Sequence, residues 1–355
     1  MSHMAQMLTK HPKHESSAPS PPVNFHVTDI PTIGPKDVLV KFLAAPINPL
    51  DILVLADLYP VKPQHHHNGE AIPGYDGVGE VVSCGSDVTG LAPGDLVIPS
   101  KFGIGTWRTQ AVVDFSYLQK ISRPKDLTVA AITRISIAPA FCLVEDMCNL
   151  KAGDWIIQNA ATSVVAQMVV QFARLRGIHT IGVIRDRPSA EAEAIKESLL
   201  QMGTDVVVTE SELQGEVDIK SKRIMLALDS VFGNSARGLI KSLSSGGTFV
   251  QLGFLGGPSG QLQLDANDLF GRQLTLKAFR GSAQVALRTP SEQTDLFNWF
   301  VSLFNDGKLV LPGLGLERVP WDASDVKGSE SRLLEAIKRG KEGKIGQRKQ
   351  IIMFT

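Results

Sequence analysis

"IIQNAATSVVAQMVVQFARLRG", residues 156–177, reads as a short apolar strand, a turn and a helix over 164–176. In a turn of this kind that holds a dinucleotide, glycines let the backbone approach a pyrophosphate and let the helix sit close to the strand. Here the turn carries Thr162, Ser163, Val164, Val165 and Ala166, with Val164 and Ala166 at the two places where glycine is usual. Added Cβ atoms take up clearance. The first amides of the helix and the Thr162 and Ser163 hydroxyls remain available to an anion. The stretch by itself leaves two readings open, a nucleotide site with altered chemistry and a purely structural βα turn.

Its flanks settle the fold class of the middle of the chain. "HTIGVI", "DVVVT", "RIMLALDSV" and "GGTFVQLG" are strand-like, and "AEAEAIKESLLQMG" and "SARGLIKSL" are helical, the first stopped by Gly203. Strand and helix alternating at this spacing predict βαβ units and a doubly wound parallel sheet, an α/β domain placed at 133–275. The first third is different: "DVLVKFLAAPINPLD", "GVGEVVSCGSDVTGLAPGDLVIPS" and "TWRTQAVVDF" are short β-like runs broken by glycine and proline. They predict a partly closed antiparallel β domain, in which Pro93 and Gly94 turn the chain into the strand after Asp95. The helix at "SEQTDLFNWFVSLFNDG" spaces Leu296, Phe297, Phe300, Leu303 and Phe304 as core residues. The terminal helix "SRLLEAIKRG" and strand "RKQIIMF" are expected to return to the β domain, which takes 1–132 and 276–355.

With 355 residues, 43% hydrophobic, the chain is long enough for two cores. Lys plus Arg and Asp plus Glu both number 36, so no general attraction to nucleic acid is expected. Cys84, Cys142 and Cys148 form no paired framework and no CxxC, as reduced thiols would. No apolar run approaches the roughly 20 residues that cross a bilayer, so no membrane is expected as partner. The opening "MSHM" resembles a cloning remnant, and the polar, proline-rich "TKHPKHESSAPSPPVN" a turn or unstructured approach; no Arg-rich transit segment is visible. The expectation is a cytoplasmic protein, or a mitochondrial one if a transit peptide has been removed.

About 20 residues after the turn, where an NAD-binding domain places an acid for the ribose, the chain offers Arg185 and Arg187. Guanidinium forks suit a 2′-phosphate, so the pair favours NADPH over NADH. The tract His65–His67 cannot converge on one ion as adjacent residues and reads as an exposed loop, so no metal is expected.

Several stretches in order along the chain, "AAPINPLDI" (44–52), "PGYDGVGEVV" (73–82), "VTGLAPGDLVIP" (88–99), "GTWRTQAV" (105–112), "GDWIIQNA" (153–160) and "VIRDRP" (183–188), resemble the medium-chain dehydrogenase/reductase superfamily. They are most similar to its mitochondrial-type 2-enoyl thioester reductases. The resemblance implies a GroES-like β-barrel domain beside a Rossmann-type domain. It also implies a zinc-free site, because Pro46, Tyr75 and Asp76 stand where the zinc enzymes have ligands. Tyr59 falls where these reductases have their proton donor, and a phenol with an ordinary pKa near 10 is a reasonable donor at neutral pH. The implied reaction is reduction of an α,β-unsaturated thioester or enone by NADPH. By the same resemblance Arg185, Asp186 and Arg187 meet the adenosine phosphate, Leu252, Gly253, Phe254 and Leu255 line the nicotinamide, Phe279, Arg280 and Ser282 flank it, and Lys349 approaches the cofactor.

Three departures fall on the cofactor face: the turn "TSVVAQ", Ala138 before Pro139 where the family has asparagine, and Arg280 where it has an aromatic residue. Two alternatives therefore stand beside the reductase: a lyase, isomerase or cyclase that has lost NADPH, and a non-catalytic binding protein. The basic stretch Lys338, Arg339, Lys341, Lys344, Arg348 and Lys349 suits a phosphopantetheine arm or an acidic carrier, so coenzyme A, acyl carrier protein and a free polyketide-like enone are all candidate carriers. Family members are often homodimers through the edge of the nucleotide-domain sheet.

Overall fold

The computed structural model describes residues 4–11, 22–215, 219, 221–257, 260–342 and 349–355. Lys344 and Arg348 of the basic stretch and most of the proline-rich N-terminal segment lie outside them. The described chain divides into two compact units, the first from Met1–Arg134, Pro290–Leu311 and Leu316–Thr355, the second from Ile135–Thr289 and Pro312–Gly315.

The first unit is built on a sheet whose strands run in the order Leu316–Trp321, Lys349–Phe354, Asp37–Pro46, Val78–Cys84, Leu96–Pro99 and Leu118–Lys120, with Gln110–Asp114 also paired to Asp37–Pro46. Period-2 alternation in "DVLVKFLAAP" explains the central strand: Val38, Val40 and Phe42 all point inward and are buried. Trp107, Trp321 and Phe354 fill the same core. Because Asp37–Pro46 pairs with three partners, the sheet curls into a partly closed barrel. The C-terminal strand Lys349–Phe354 does return here, with Ile352 opposite Ala45. Pro93 and Gly94, the latter at φ +90°, form the expected turn, and the Asp95 carboxylate closes it by accepting the Ala92 amide at 2.9 Å. Phe297, Phe300 and Leu303 of the helix Pro290–Asn305 are buried.

The second unit holds six parallel strands in the order Val206–Thr209, His179–Ile184, Trp155–Gln158, Ile224–Asp229, Thr248–Gln251 and Thr275–Ala278. Ile224–Asp229 is buried at every position, as a strand covered on both faces must be. Residues 276–289, which sequence placed with the barrel, sit in this unit. Thr275–Ala278 continues the parallel ladder beside Thr248–Gln251, and the short helix Gly281–Val285 packs on Ala138–Glu145. The expected boundary after residue 275 cuts through this strand, which is the exposed edge of the sheet.

Candidate active site

In the first unit "NPLD" starts the helix Pro49–Leu55. Asn48 is extended, Pro49 supplies a preset φ, and the Asp51 carboxylate turns back to accept the Asn48 amide at 2.8 Å. This fixes Asp51 in a fully buried position, and burial pushes its pKa up to about 7 against the lowering effects of Asn48 and Lys349. Burial likewise holds the Lys349 ammonium below its ordinary range, opposed by Asp76 and Asp51. Lys349, expected from resemblance at the cofactor, thus stands among buried carboxyl groups of the barrel unit.

The next stretch, "PGYDG", needs its glycine. Gly74 has φ +97°, and a Cβ there would lie 2.4 Å from Thr106 Oγ1 and 2.7 Å from the Trp107 nitrogen. The turn delivers Tyr75 to a fully buried site, where its hydroxyl donates to the Val61 carbonyl at 2.8 Å. Burial, with Asp51 and Tyr59 nearby, raises the Tyr75 pKa, so this phenol stays a donor. Tyr59 is half-buried and stands edge-on to Tyr75, ring centroids 5.9 Å apart at 89°. Tyr75 therefore holds the Tyr59 loop twice, through a ring contact and through a hydrogen bond two residues downstream. Sequence reasoning singled out Tyr59 but not Asn48, Asp51 or this use of Tyr75, although the Asn-x-x-Asp spacing around a proline was a readable capping signal.

The Asp51 shift has a measurable consequence. A carboxyl whose pKa is raised on folding binds its proton more tightly in the folded state, so stability falls as pH rises from about 4 towards about 7. In Asp51→Asn this fall is expected to be smaller, on the order of a few kcal/mol less by urea denaturation at pH 5 and pH 7.5. Identical slopes for the two proteins would remove the buried-acid assignment.

The histidine tract is only partly the exposed loop expected. His66 and His67 pair with Glu70 and Ala71 in a minimal hairpin, and burial, with Arg108 and His66 nearby, lowers the His65 pKa to about 4. Among the described residues no group of three His, Cys, Asp or Glu side chains is placed to hold a metal ion.

In the second unit the opening stretch has its own solution to the missing glycines. Ala160 adopts φ +48°, Ser163 caps the helix Val164–Leu175 by accepting the Ala166 amide at 3.2 Å, and Gln158 donates to the Ala166 carbonyl at 2.9 Å. Val164 and Ala166 are buried, and Val165 with Ala166 lines a crevice beside Gln158, Asn159, Ser230 and Leu252. The crevice volume is ≈ 10 Å³, about the space of one water. Helix geometry leaves the Val164 and Val165 amides, in the first turn, without intrahelical acceptors. Beneath lies a buried network that the sequence did not reveal: Asn159 donates to Asp229 at 2.5 Å and to Ser235 at 3.1 Å and accepts the Ser230 amide at 2.7 Å.

That network ties down the next loop. The Leu252 amide donates to the Asp229 carbonyl at 2.9 Å, and a Cβ on Gly253 would come within 2.9 Å of the Ser230 carbonyl. Phe254 and Leu255 are exposed at 49% and 62%, an unusual cost for apolar side chains. Phe279 is buried, Arg280 is exposed, and Ser282 lies in the first turn of Gly281–Val285.

At the end of His179–Ile184 the three charged residues separate in role. The Asp186 carboxylate is taken by Ser211, from its hydroxyl at 2.8 Å and its amide at 3.2 Å. Arg185 is exposed, with its pKa lowered by partial burial and by Arg187. The Arg187 side chain is only 7% exposed; its Nε meets Glu191 at 3.1 Å, while Nη1 and Nη2 are buried with no hydrogen-bond partner among the described residues. An anion brought to these two nitrogens would satisfy them. On this observation the residues fit a phosphorylated dinucleotide.

The alcohol dehydrogenase GroES-like domain family matches residues 34–123. The mitochondrial enoyl-[acyl-carrier-protein] reductase of Arabidopsis thaliana is 36% identical over 343 residues, 94% of this chain and 86% of that protein. Its human counterpart is 35% identical over 302 residues, 83% of this chain and 78% of the relative. Among solved structures, a heterodimer of mitochondrial 2-enoyl thioester reductases from Candida tropicalis aligns with a TM-score of 0.84 at 25% identity, over 99% of both chains. A variant of the reductase Etr1p in complex with NADP and crotonyl-CoA aligns with a TM-score of 0.83 at 25% identity, over 99% of both chains.

Proposed function

Since the chain belongs to the medium-chain dehydrogenase/reductase family, in the branch of the mitochondrial enoyl reductases, we propose that it is an NADPH-dependent reductase of α,β-unsaturated acyl thioesters in which Tyr59 protonates the substrate. NADPH, when bound, supplies the hydride that the β-carbon accepts. Arg187, with Arg185, would hold its 2′-phosphate, and the Val164 and Val165 amides with the Thr162 hydroxyl would meet the pyrophosphate. Leu252, Gly253, Phe254 and Leu255 would cover the nicotinamide, with Phe279, Arg280 and Ser282 at its margin.

The negative charge that arrives with the hydride spreads over the α-carbon and the thioester oxygen. Tyr59 delivers the proton to the α-carbon, closing the reaction without a free enolate in water. Tyr75 sets where that proton starts, because it fixes both the ring and the following loop. Asp51, Asp76 and Lys349 form a buried group of ionisable side chains in the same unit, in which the two carboxyl groups favour the charged form of the lysine.

The observation that carries the redox reading is the pair of buried Arg187 nitrogens, Nη1 and Nη2, that have no hydrogen-bond partner among the described residues. The side chains of Val164 and Ala166, at the two places where glycine is usual, are what a non-redox lyase or cyclase as second reading rests on. Titration with NADPH, followed by nicotinamide fluorescence, separates the two. Micromolar binding is expected, and absence of binding up to millimolar NADPH would leave the non-redox reading.

Crotonyl-CoA in the Etr1p complex and the carrier protein named for the relatives support an acyl thioester, on coenzyme A or acyl carrier protein, as substrate. The mitochondrial relatives favour the mitochondrial over the cytoplasmic location. The exposed strand Thr275–Ala278 offers unpaired edge groups, and its edge position with the heterodimer of the Candida tropicalis enzymes supports pairing of two copies.

A further inference from the structure

Residues 129–144, "VAAITRISIAPAFCLV", form an apolar run with one charged member, Arg134. The run is helical at both ends, but Thr133–Ile137 between them is a π-helical turn, a rare geometry that occurs often at functional sites. This turn puts Arg134 inside: the residue is 8% exposed, and its Nε and Nη1 are buried with no hydrogen-bond partner among the described residues. Asp76 supplies a counter-charge at a distance, which offsets part of the cost of burying the cation but satisfies neither nitrogen.

The surroundings tie this cation to the Tyr59 site. Its guanidinium lies over the Phe102 ring at 5.8 Å; Phe102 is 5.9 Å from Tyr75, and Tyr75 is 5.9 Å from Tyr59. The Tyr59–Tyr75–Phe102 ring series thus ends at a guanidinium of which two nitrogens, Nε and Nη1, have no acceptor among the described residues. Neither a plain hydrocarbon acyl chain nor the thioester carbonyl gives a planar pair of acceptors. A carboxylate does, and guanidinium is the side chain suited to it.

We propose that Arg134 is the recognition site for a carboxylate on the acyl chain of the thioester, so that the preferred substrate is an unsaturated diacid monothioester rather than a simple fatty enoyl chain. The proposal rests on the enoyl reductase reading and deepens it. The ion pair would supply the acceptors that Asp76 does not and place the chain end away from Tyr59.

The test uses N-acetylcysteamine thioesters, which carry no phosphate. The probes are trans-glutaconyl and the uncharged isostere trans-5-methylhex-2-enoyl. The full chain is expected to prefer the carboxylate in kcat/KM, and Arg134→Met to lower that preference, as a ratio, by roughly 50-fold, the scale of a charged hydrogen-bonded pair. Arg134→Lys, which keeps the charge but not the fork, is expected to give an intermediate ratio and guards against a Met variant that folds poorly. Equal loss for both acyl chains in Arg134→Met and Arg134→Lys would make the residue structural and overturn the proposal. So would an effect confined to coenzyme A thioesters and shared by both acyl chains, which would identify a carrier phosphate as the partner. If neither thioester is reduced, calorimetry with saturated glutaryl and 5-methylhexanoyl thioesters still decides. An Arg134-dependent preference for glutaryl would retain the carboxylate site while the reductase reading fails, and no preference would end both.

Discussion

Tyr59→Phe is expected to lower kcat for enoyl thioester reduction by roughly 10²- to 10⁴-fold, the range for loss of a positioned proton donor. The substitution removes one oxygen and keeps the ring. The edge-on contact with Tyr75 therefore survives, and with it the packing of the loop that the Tyr75 hydroxyl ties to the Val61 carbonyl. NADPH affinity and thermal stability should change little, and KM far less than kcat, because the lost group acts on charge that exists only after hydride arrival. Steady-state kinetics with crotonyl thioester checks this directly. Undiminished kcat would move the proton donor elsewhere, and Tyr59 would then be a packing residue at the margin of Tyr75.

Arg187→Ala should weaken NADPH binding by about 100-fold while leaving NADH binding within about threefold, since two charged hydrogen bonds to a 2′-phosphate are lost and nothing is lost towards a 2′-hydroxyl. The stability of the free protein provides the contrasting sign. Nη1 and Nη2 are buried without partners among the described residues, so removing them relieves a cost, and the pair with Glu191, which is half exposed, contributes little in water. Free Arg187→Ala should thus be no less stable than the parent, while its stabilisation by NADPH shrinks. Fluorescence titration with both nucleotides and denaturation with and without NADPH test the two halves. A variant that loses NADPH and NADH equally, or one that unfolds more readily when free, would make Arg187 a structural residue.

The alternation of strand and helix made the second unit legible, because buried parallel strands and amphipathic helices leave different periods in sequence. The barrel was legible from its glycine- and proline-broken runs and from the turn at Pro93–Gly94, where backbone conformation restricts residue choice. What the sequence concealed depends on contacts between distant residues. Asp186 stands between two arginines but turns to Ser211, and no spacing rule announces a partner 25 residues away. Val165 and Val164 are adjacent and chemically alike, yet one lines a crevice and the other is buried. The left-handed Ala160 does the work expected of a glycine a few residues later, which only backbone angles reveal. Arg134 is concealed for the opposite reason: nothing in the apolar run around it announces the π-helical turn that carries it inward.

The account as a whole turns on whether this chain transfers hydride from NADPH to an enoyl thioester. Crotonyl thioester incubated with the protein and NADPH in deuterated water answers it, with the product examined by mass spectrometry and NMR. The predicted result is consumption of NADPH matched by butyryl thioester with one deuterium at the α-carbon and none at the β-carbon, as a solvent-exchangeable phenol on Tyr59 and a hydride from the nicotinamide require. Unchanged NADPH absorbance with crotonyl thioester recovered intact, or deuterium at the β-carbon, would contradict it.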